Sequence, residues 1–330
     1  MVKKKILVVG GAGYVGTAII NKLLSSKYEV TCVDNLVYKN IQSLKSFNYK
    51  KNFKFYKLDA GDLKIQKILP KVDFIIYLAG LVGDPITKKF PKASFIANEG
   101  IIKKFVKYCL KEKRKHTFIF VSTCSNYGLR SKNEKAKEDS KLNPLSLYAQ
   151  SKVNIEKYLL NIKNKNFDPV ILRFSTAFGL SSRMRFDLTV NEFVKDLFLY
   201  KEVKVYDENT WRPYCHVKDF ARLMLHLLKK PISEISKEIY NVGSDNNNFT
   251  KKNISKAVLK IVKNGKIIFV KGGNDPRNYK VNFSKLEKKL GFKTRYSVDY
   301  GIKEILKFLK DKKFNAKNFK LENYGNYKIF

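Results

Sequence analysis

Acidic residues are scarce in this chain: 29 Asp and Glu stand against 67 Lys and Arg over 330 residues, a formal net charge of +38. Cysteine, histidine, methionine and tryptophan are scarcer still, at 4, 3, 3 and 1. Cys32, Cys109, Cys124 and Cys215 form no CxxC pair, and His116, His216 and His226 do not cluster with them. This excludes the usual zinc and disulfide frameworks, and no metal is expected. Unpaired cysteines suit a reducing cytoplasm. Long apolar runs are missing too. The longest, Phe74 to Gly83, falls well short of the ~20 residues that span a bilayer and reads as a buried strand with its following loop. The opening MVKKKILVVGGAG imitates a signal peptide, but its apolar part is short and runs straight into glycines, so it reads as a first strand.

A hydrophobic content of 44% with 13% aromatics is ample for a packed core. The length suits about two domain-equivalents. The positive charge could signal a nucleic-acid partner or steering of an anionic ligand. The lysines are spread along the chain, however, at Lys3 to Lys5, Lys88-Lys89, Lys103-Lys104, Lys229-Lys230, Lys288-Lys289 and Lys312-Lys313. That spread reads as dispersed, solvated charge, as an AT-rich genome would produce, and no nucleic-acid or membrane partner is expected.

Runs rich in Ile, Val, Phe and Leu at 5–9, 29–33, 53–58, 73–79, 117–122 and 169–174 predict strands. Helix-period segments lie between them at Thr17 to Ser26, Ile65 to Leu69, Asn98 to Glu112 and Ser146 to Ile162. This alternation predicts an α/β fold with a Rossmann-type doubly wound parallel sheet. After about residue 178 the rhythm changes, which predicts a smaller C-terminal α/β substrate domain. The expected division is a dinucleotide domain over 1–178, with a return near 211–243, and a substrate domain made mainly of 179–330. The terminal 315–330 either docks on the body or stays mobile.

GGAGYVG at 10–16 follows the first strand and precedes a helix. Gly10, Gly13 and Gly16 let the backbone turn tightly and approach a pyrophosphate, and the helix N-terminus offers free N–H groups. Tyr14 and Val15 belong to the same turn. Asp34, with Asn35 beside it, ends the second strand, where a carboxylate binds ribose hydroxyls and repels a 2′-phosphate, favouring NAD over NADP. A turn or capping Asp is the less favoured alternative, and Lys39 nearby could soften the preference. Asp59-Ala60 and Leu78-Ala79-Gly80 end the third and fourth strands, placed for adenine and the nicotinamide ribose.

Tyr148 and Lys152 are four apart, so they share one helix face. A phenol titrates near pH ~10 and is a poor base at neutral pH. A neighbouring ammonium and a positive nicotinamide would stabilise the phenolate. Ser122-Thr123-Cys124-Ser125 follows the fifth strand, and the Thr123 hydroxyl could orient a substrate oxygen toward Tyr148.

Together these segments resemble an extended short-chain dehydrogenase/reductase of the nucleotide-sugar epimerase/dehydratase type. YLAG at 77–80, Asn98 in an NxG turn, STCSNYG, LRFSTAFG at 172–179, WRPYCHVKD at 211–219 and DPRNYKVNFSKLEKKLGF extend the resemblance over nearly the whole chain. It implies a catalytic triad of Thr123, Tyr148 and Lys152. It adds Asn98 and Ser122 to the NAD contacts. It places Val82, Thr123, Cys124 and Ser125 at the sugar, and Asn191, Arg212 and Arg277 at the diphosphate and nucleoside. Arg183 and Arg185 in SSRMRFDLTVNEF are further anion or sugar contacts, in a segment most similar to bacterial nucleotide-heptose and hexose 4-dehydrogenases and epimerases. A homodimer through about 98–112 and 146–162 is also implied.

The family's 4,6-dehydratases carry Asp-Glu directly after the catalytic threonine, where this chain has Cys124 and Ser125. That departure argues against dehydration. Cys124 is expected to be a buried strand-end residue, with an acid/base role as the alternative, and His216 is expected to be structural. The expected activity is NAD-dependent oxidation or epimerisation of a nucleotide sugar at C4. The alternatives are a 4-keto-sugar reductase and a non-enzymatic RNA-binding protein that reuses the fold.

Overall fold

The computed structural model describes residues 4–131, 133–273 and 275–329; Lys3 and Phe330, named above, lie outside them. Seven strands form the main sheet: β1 (Lys5–Val9), β2 (Glu29–Asp34), β3 (Phe53–Lys57), β4 (Phe74–Tyr77), β5 (His116–Thr123), β6 (Phe167–Phe174) and β7 (Ile239–Val242). Every pairing is parallel, in the order β7-β6-β5-β4-β1-β2-β3. The chain winds outward from β1 in both directions, so its switch point lies between β1 and β4. Ligands of such sheets bind outside the carboxyl ends of the strands at that point.

The strands are apolar on both faces because both are covered. Ile6 and Val8 point into one layer with Ile19, Leu23, Phe220 and Leu227. Leu7 and Val9 point into the other with Phe105, Phe118 and Ile155. The covering helices include α1 (Tyr14–Ser25), α2 (Ile101–Lys111), α3 (Leu147–Leu160) and, from later in the chain, α4 (Val217–Leu227). A third core joins Phe178, Phe186 and Phe193 to Ile302 and Leu309. It is built on helices Thr189–Tyr200, Lys251–Val262 and Val298–Asp311 and on small sheets, such as Lys266–Val270 beside Glu202–Tyr206.

Local structure departs from the sequence expectations in a few places. The first helix starts at Tyr14 rather than Thr17, with Gly13 as its N-cap. Ile65 to Leu69 is no α-helix. It splits into 3₁₀ turns, Leu63–Lys67 capped by Asp62 and Leu69–Lys71, with Pro70 barring continuation. The segment from Asn98 begins as a π-helical turn, Ile96–Gly100. The C-terminal tail docks: Phe319 is buried against Phe186.

Candidate active site

A cavity of about 560 Å³ opens at the carboxyl ends of β1, β2, β4 and β5. At one end the β1–α1 turn is held open by glycine. Gly10 has φ +81°, and a Cβ there would sit 2.6 Å from the Ala79 nitrogen. A Cβ on Gly16 would meet the Gly11 and Gly10 carbonyl oxygens at 2.6 and 2.7 Å. Gly13 gives α1 no side-chain cap, so first-turn N–H groups remain available for a phosphate. Asp34 accepts from the Ala12 N–H at 3.0 Å and the Leu36 N–H at 2.8 Å, which ties the end of β2 to the glycine turn. Burial raises its pKa. Asp59 accepts from Gly61 N–H at 2.8 Å and from Asn35 Nδ2 at 3.2 Å. Val15, Asn35, Asp59, Ala60, Leu78, Ala79 and Gly80 all line the cavity, and so does Tyr14, whose buried hydroxyl donates to the Gly179 carbonyl at 2.5 Å. A flat, glycine-floored cleft with a ribose-side carboxylate fits a dinucleotide.

Ser122, Thr123, Tyr148 and Lys152 line the middle of the cavity. Thr123 ends β5 and caps the next turn by accepting from Ser125 N–H at 3.1 Å. Ser146 caps α3 and so fixes the face that carries Tyr148 and Lys152. Lys152 Nζ donates to the Val121 carbonyl at 2.8 Å and stands 4.5 Å from the Phe120 ring centre and 5.8 Å from that of Tyr148. Burial pulls the lysine down to about 8, opposed by Glu156. Burial pushes the Tyr148 phenol above its usual range, opposed by Arg185. Among the protein's own groups desolvation of the phenolate dominates, and the Lys152 amine is held by a carbonyl. Behind this group, Ser122 donates to Glu156, which pairs with Arg173 at 2.7 Å in full burial.

The far end carries the arginines. Arg277 pairs with Asp84 at 2.9 Å and with Asp275 at 2.8 Å, and Arg212 pairs with Asp275 at 2.9 Å. These two guanidinium groups hold the Asp275 carboxyl well below its usual range even though burial opposes it. Arg185 grips Asp187 with two bonds, at 2.9 and 2.6 Å, and Arg183 lies over the Tyr38 ring. Val82, Ser125, Arg183, Arg185, Arg212 and Arg277 all line the cavity.

Three of the expected contact residues stand outside the cavity wall. Cys124 is 1% exposed, outside the cavity wall, and its thiol donates to the Arg173 carbonyl. Burial pushes that thiol far up, which removes the acid/base alternative. Asn191 is fully buried: it accepts from Gly179 N–H at 3.0 Å and donates to the Arg185 carbonyl at 2.8 Å, so it shapes the 179–185 loop from behind the cavity. Asn98 likewise stands behind the wall, bonded to both backbone groups of Leu81 at 2.9 and 3.0 Å. His216 bonds Glu304 at 2.7 Å under the same loop, away from the cavity. Sequence reasoning missed Asp84, Asp275, Lys251 and Asn326, which line the cavity, and Glu156 behind it. Lys152 and Glu156 at helical spacing were a readable signal; Asn326 had none. Among the described residues no group of three or more His, Cys, Asp or Glu is placed to hold a metal ion, and no helix is long and apolar enough to cross a membrane.

A family model described as the NAD dependent epimerase/dehydratase family matches residues 6–243. The chain belongs to that family, with an extended short-chain dehydrogenase/reductase fold and NAD as cofactor. It is similar to the uncharacterised UDP-glucose epimerase YtcB of Bacillus subtilis, 30% identical over 72% of this chain and 76% of that protein. The UDP-glucose 4-epimerase of the same organism is 25% identical over 72% of this chain and 77% of its own. In fold it matches the UDP-glucose 4-epimerase of Thermotoga maritima solved with UDP-glucose, at TM-score 0.82 and 24% identity, over 94% of this chain and all of that one.

Proposed function

We propose that this protein oxidises, and in one form of turnover epimerises, a nucleotide-diphosphate sugar at the C4 hydroxyl. One observation carries the reading: the glycine turn, the Thr123, Tyr148 and Lys152 group, and the arginine pair Arg212 and Arg277 all face one cavity. Thr123 orients the sugar hydroxyl. Tyr148, as phenolate, takes its proton. Lys152 supplies positive charge beside the base and the ribose. NAD held by the glycine turn, Asp34 and Lys152 would supply the hydride acceptor, and its positive charge would help lower the phenol that burial has raised. Arg212 and Arg277 release part of their hold on Asp275 and Asp84 to take the diphosphate, the kind of anion that paired guanidinium groups bind well.

The proposed division assigns cofactor binding mainly to 1–178 and substrate binding mainly to 179–330; β7 and α4 return to the main sheet and its covering layer. Four free, buried cysteines suit a reducing, cytoplasmic setting. A homodimer through α2 and α3 is supported by Leu147 on α3, 53% exposed, and by Phe95, 59% exposed, on the short helix Pro91–Phe95 that precedes α2.

The test mixes NAD with GDP-, UDP-, dTDP- and CDP-sugars and follows absorbance of reduced nicotinamide, with Tyr148→Phe as control. A rise with one sugar that is absent in the variant supports the reading, accumulating for a dehydrogenase and bounded for an epimerase. Turnover retained by Tyr148→Phe would overturn it.

A further inference from the structure

The C-terminal tail enters the site by a route that the glycine, tyrosine and arginine motifs do not foretell. After helix Val298–Asp311 the chain folds back on an aromatic cluster. Phe319 and Tyr324 pack on Phe186 at 5.4 and 5.7 Å between ring centres. The Phe186 N–H donates to the Tyr324 carbonyl at 2.6 Å, and Arg183 donates to the Gly325 carbonyl at 3.1 Å. These contacts carry Asn326 to the cavity wall, where it is 7% exposed.

Asn326 joins two loops that hold the arginines. Its N–H donates to Asp187 Oδ2 at 3.2 Å, on the carboxylate that grips Arg185. Its Nδ2 donates to the Val82 carbonyl at 3.1 Å, two residues before Asp84, the partner of Arg277. A carbonyl only accepts, so the amide must turn its NH₂ toward Val82, and this fixes the orientation of the side chain. The other end, Oδ1, is then a buried acceptor with no partner among the described residues. Such an atom costs stability unless something donates to it. What it suits is a hydroxyl. It does not suit a phosphate or a carboxylate, which have no proton to give.

We propose that the tail forms the roof of the sugar subsite and that Asn326 is a specificity-determining residue whose carboxamide oxygen accepts a hydrogen bond from a hydroxyl of the bound sugar. The inference rests on the nucleotide-sugar reading above and extends it to a residue beyond the matched family segment, which ends at 243. Val82, Arg185 and Tyr148 line the same cavity as Asn326, and Val82 is its direct neighbour.

The experiment uses the full chain saturated with NAD. Calorimetry measures dissociation constants for UDP and UDP-glucose, GDP and GDP-mannose, dTDP and dTDP-glucose, and CDP and CDP-glucose. For the nucleotide that binds tightest, the ratio of the two constants is the sugar's own contribution. Asn326→Ala should shrink that ratio roughly five- to tenfold, beyond any change in the diphosphate's own constant that follows from losing the bond to Val82 beside Asp84. A chain ending at Gly325 keeps Phe319 and Tyr324 but also loses the Asn326 N–H bond to Asp187 and Ile329 from the cavity wall, so it should shrink the ratio at least as far, with the unfolding midpoint reporting whether the rest of the tail still docks. An unchanged ratio in both variants overturns the role of Asn326. If no diphosphate and no sugar binds the wild-type chain, the nucleotide-sugar reading fails first and this inference falls with it, an outcome distinct from the previous one.

Discussion

Burial sets the chemistry of the two most informative side chains, Tyr148 and Glu192. Desolvation holds the Tyr148 proton above its ordinary pKa of 10.0, so the base must be made by charge brought to it. Difference absorbance of the phenolate should show Tyr148 titrating above pH ~10 in the protein alone and lower once NAD is added. Turnover should accordingly rise with pH to the lowered value. A Tyr148 that titrates at the same pH with and without NAD would contradict this. Glu192 lies on helix Thr189–Tyr200, and burial, with Asp196 adding to it, raises its carboxyl from 4.5 to about 7. The folded chain therefore binds this proton more tightly than the unfolded chain. The stabilisation is complete below pH 4.5 and is lost as pH rises through about 7. Glu192→Gln should match wild type near pH 4.5 and exceed it by about 1–3 kcal/mol near pH ~8, read from urea unfolding at both pH values. A difference that does not change with pH would refute the assignment.

Among elements, the β1–α1 turn is the least forgiving. The atoms facing Gly16 are backbone carbonyl oxygens of Gly10 and Gly11, which cannot swing aside as a side-chain tip could. Gly16→Ala must lever α1 away from the turn, moving the N–H groups that meet the pyrophosphate. The variant should stay folded and lose the rise in unfolding midpoint that NAD gives wild type, an affinity loss of roughly tenfold or more. A full NAD-dependent rise would show that the turn adapts. This turn was legible in the sequence because strand, glycine spacing and helix follow one another within 25 residues. The six early strands were legible for the same reason: period and composition are local. What was hidden lies between distant segments. Asn191 reads as a ligand contact until its partners, Gly179, Arg185 and Tyr14, are seen around it. Cys124 reads as a buried strand-end cysteine, as it is, but that its thiol turns to the Arg173 carbonyl is seen only in the fold. The tail reaches Val82 across 244 residues, and no pattern in its own sequence announces that contact.

For the whole molecule the unresolved quantity is its charge of +38, and the two readings of that charge predict opposite salt responses. If the charge is solvated and dispersed, it acts as self-repulsion. Two copies meeting through α2 and α3, with Phe95 and Leu147 at the contact, must overcome it, and salt helps by screening beyond roughly 10 Å at 0.1 M. If the charge serves a nucleic-acid face, binding releases counterions and salt weakens it steeply. Sedimentation of the pure protein at low and high salt, with and without a generic RNA, separates the two. We expect a dimer that tightens as salt rises, and RNA binding that is weak at low salt and gone at high salt. Phe95→Glu places a charge in the apolar patch and should leave a folded monomer at every salt concentration. A dimer that persists in that variant would move the interface elsewhere. A complex with RNA that survives high salt would mean that the cation surplus is a binding surface after all.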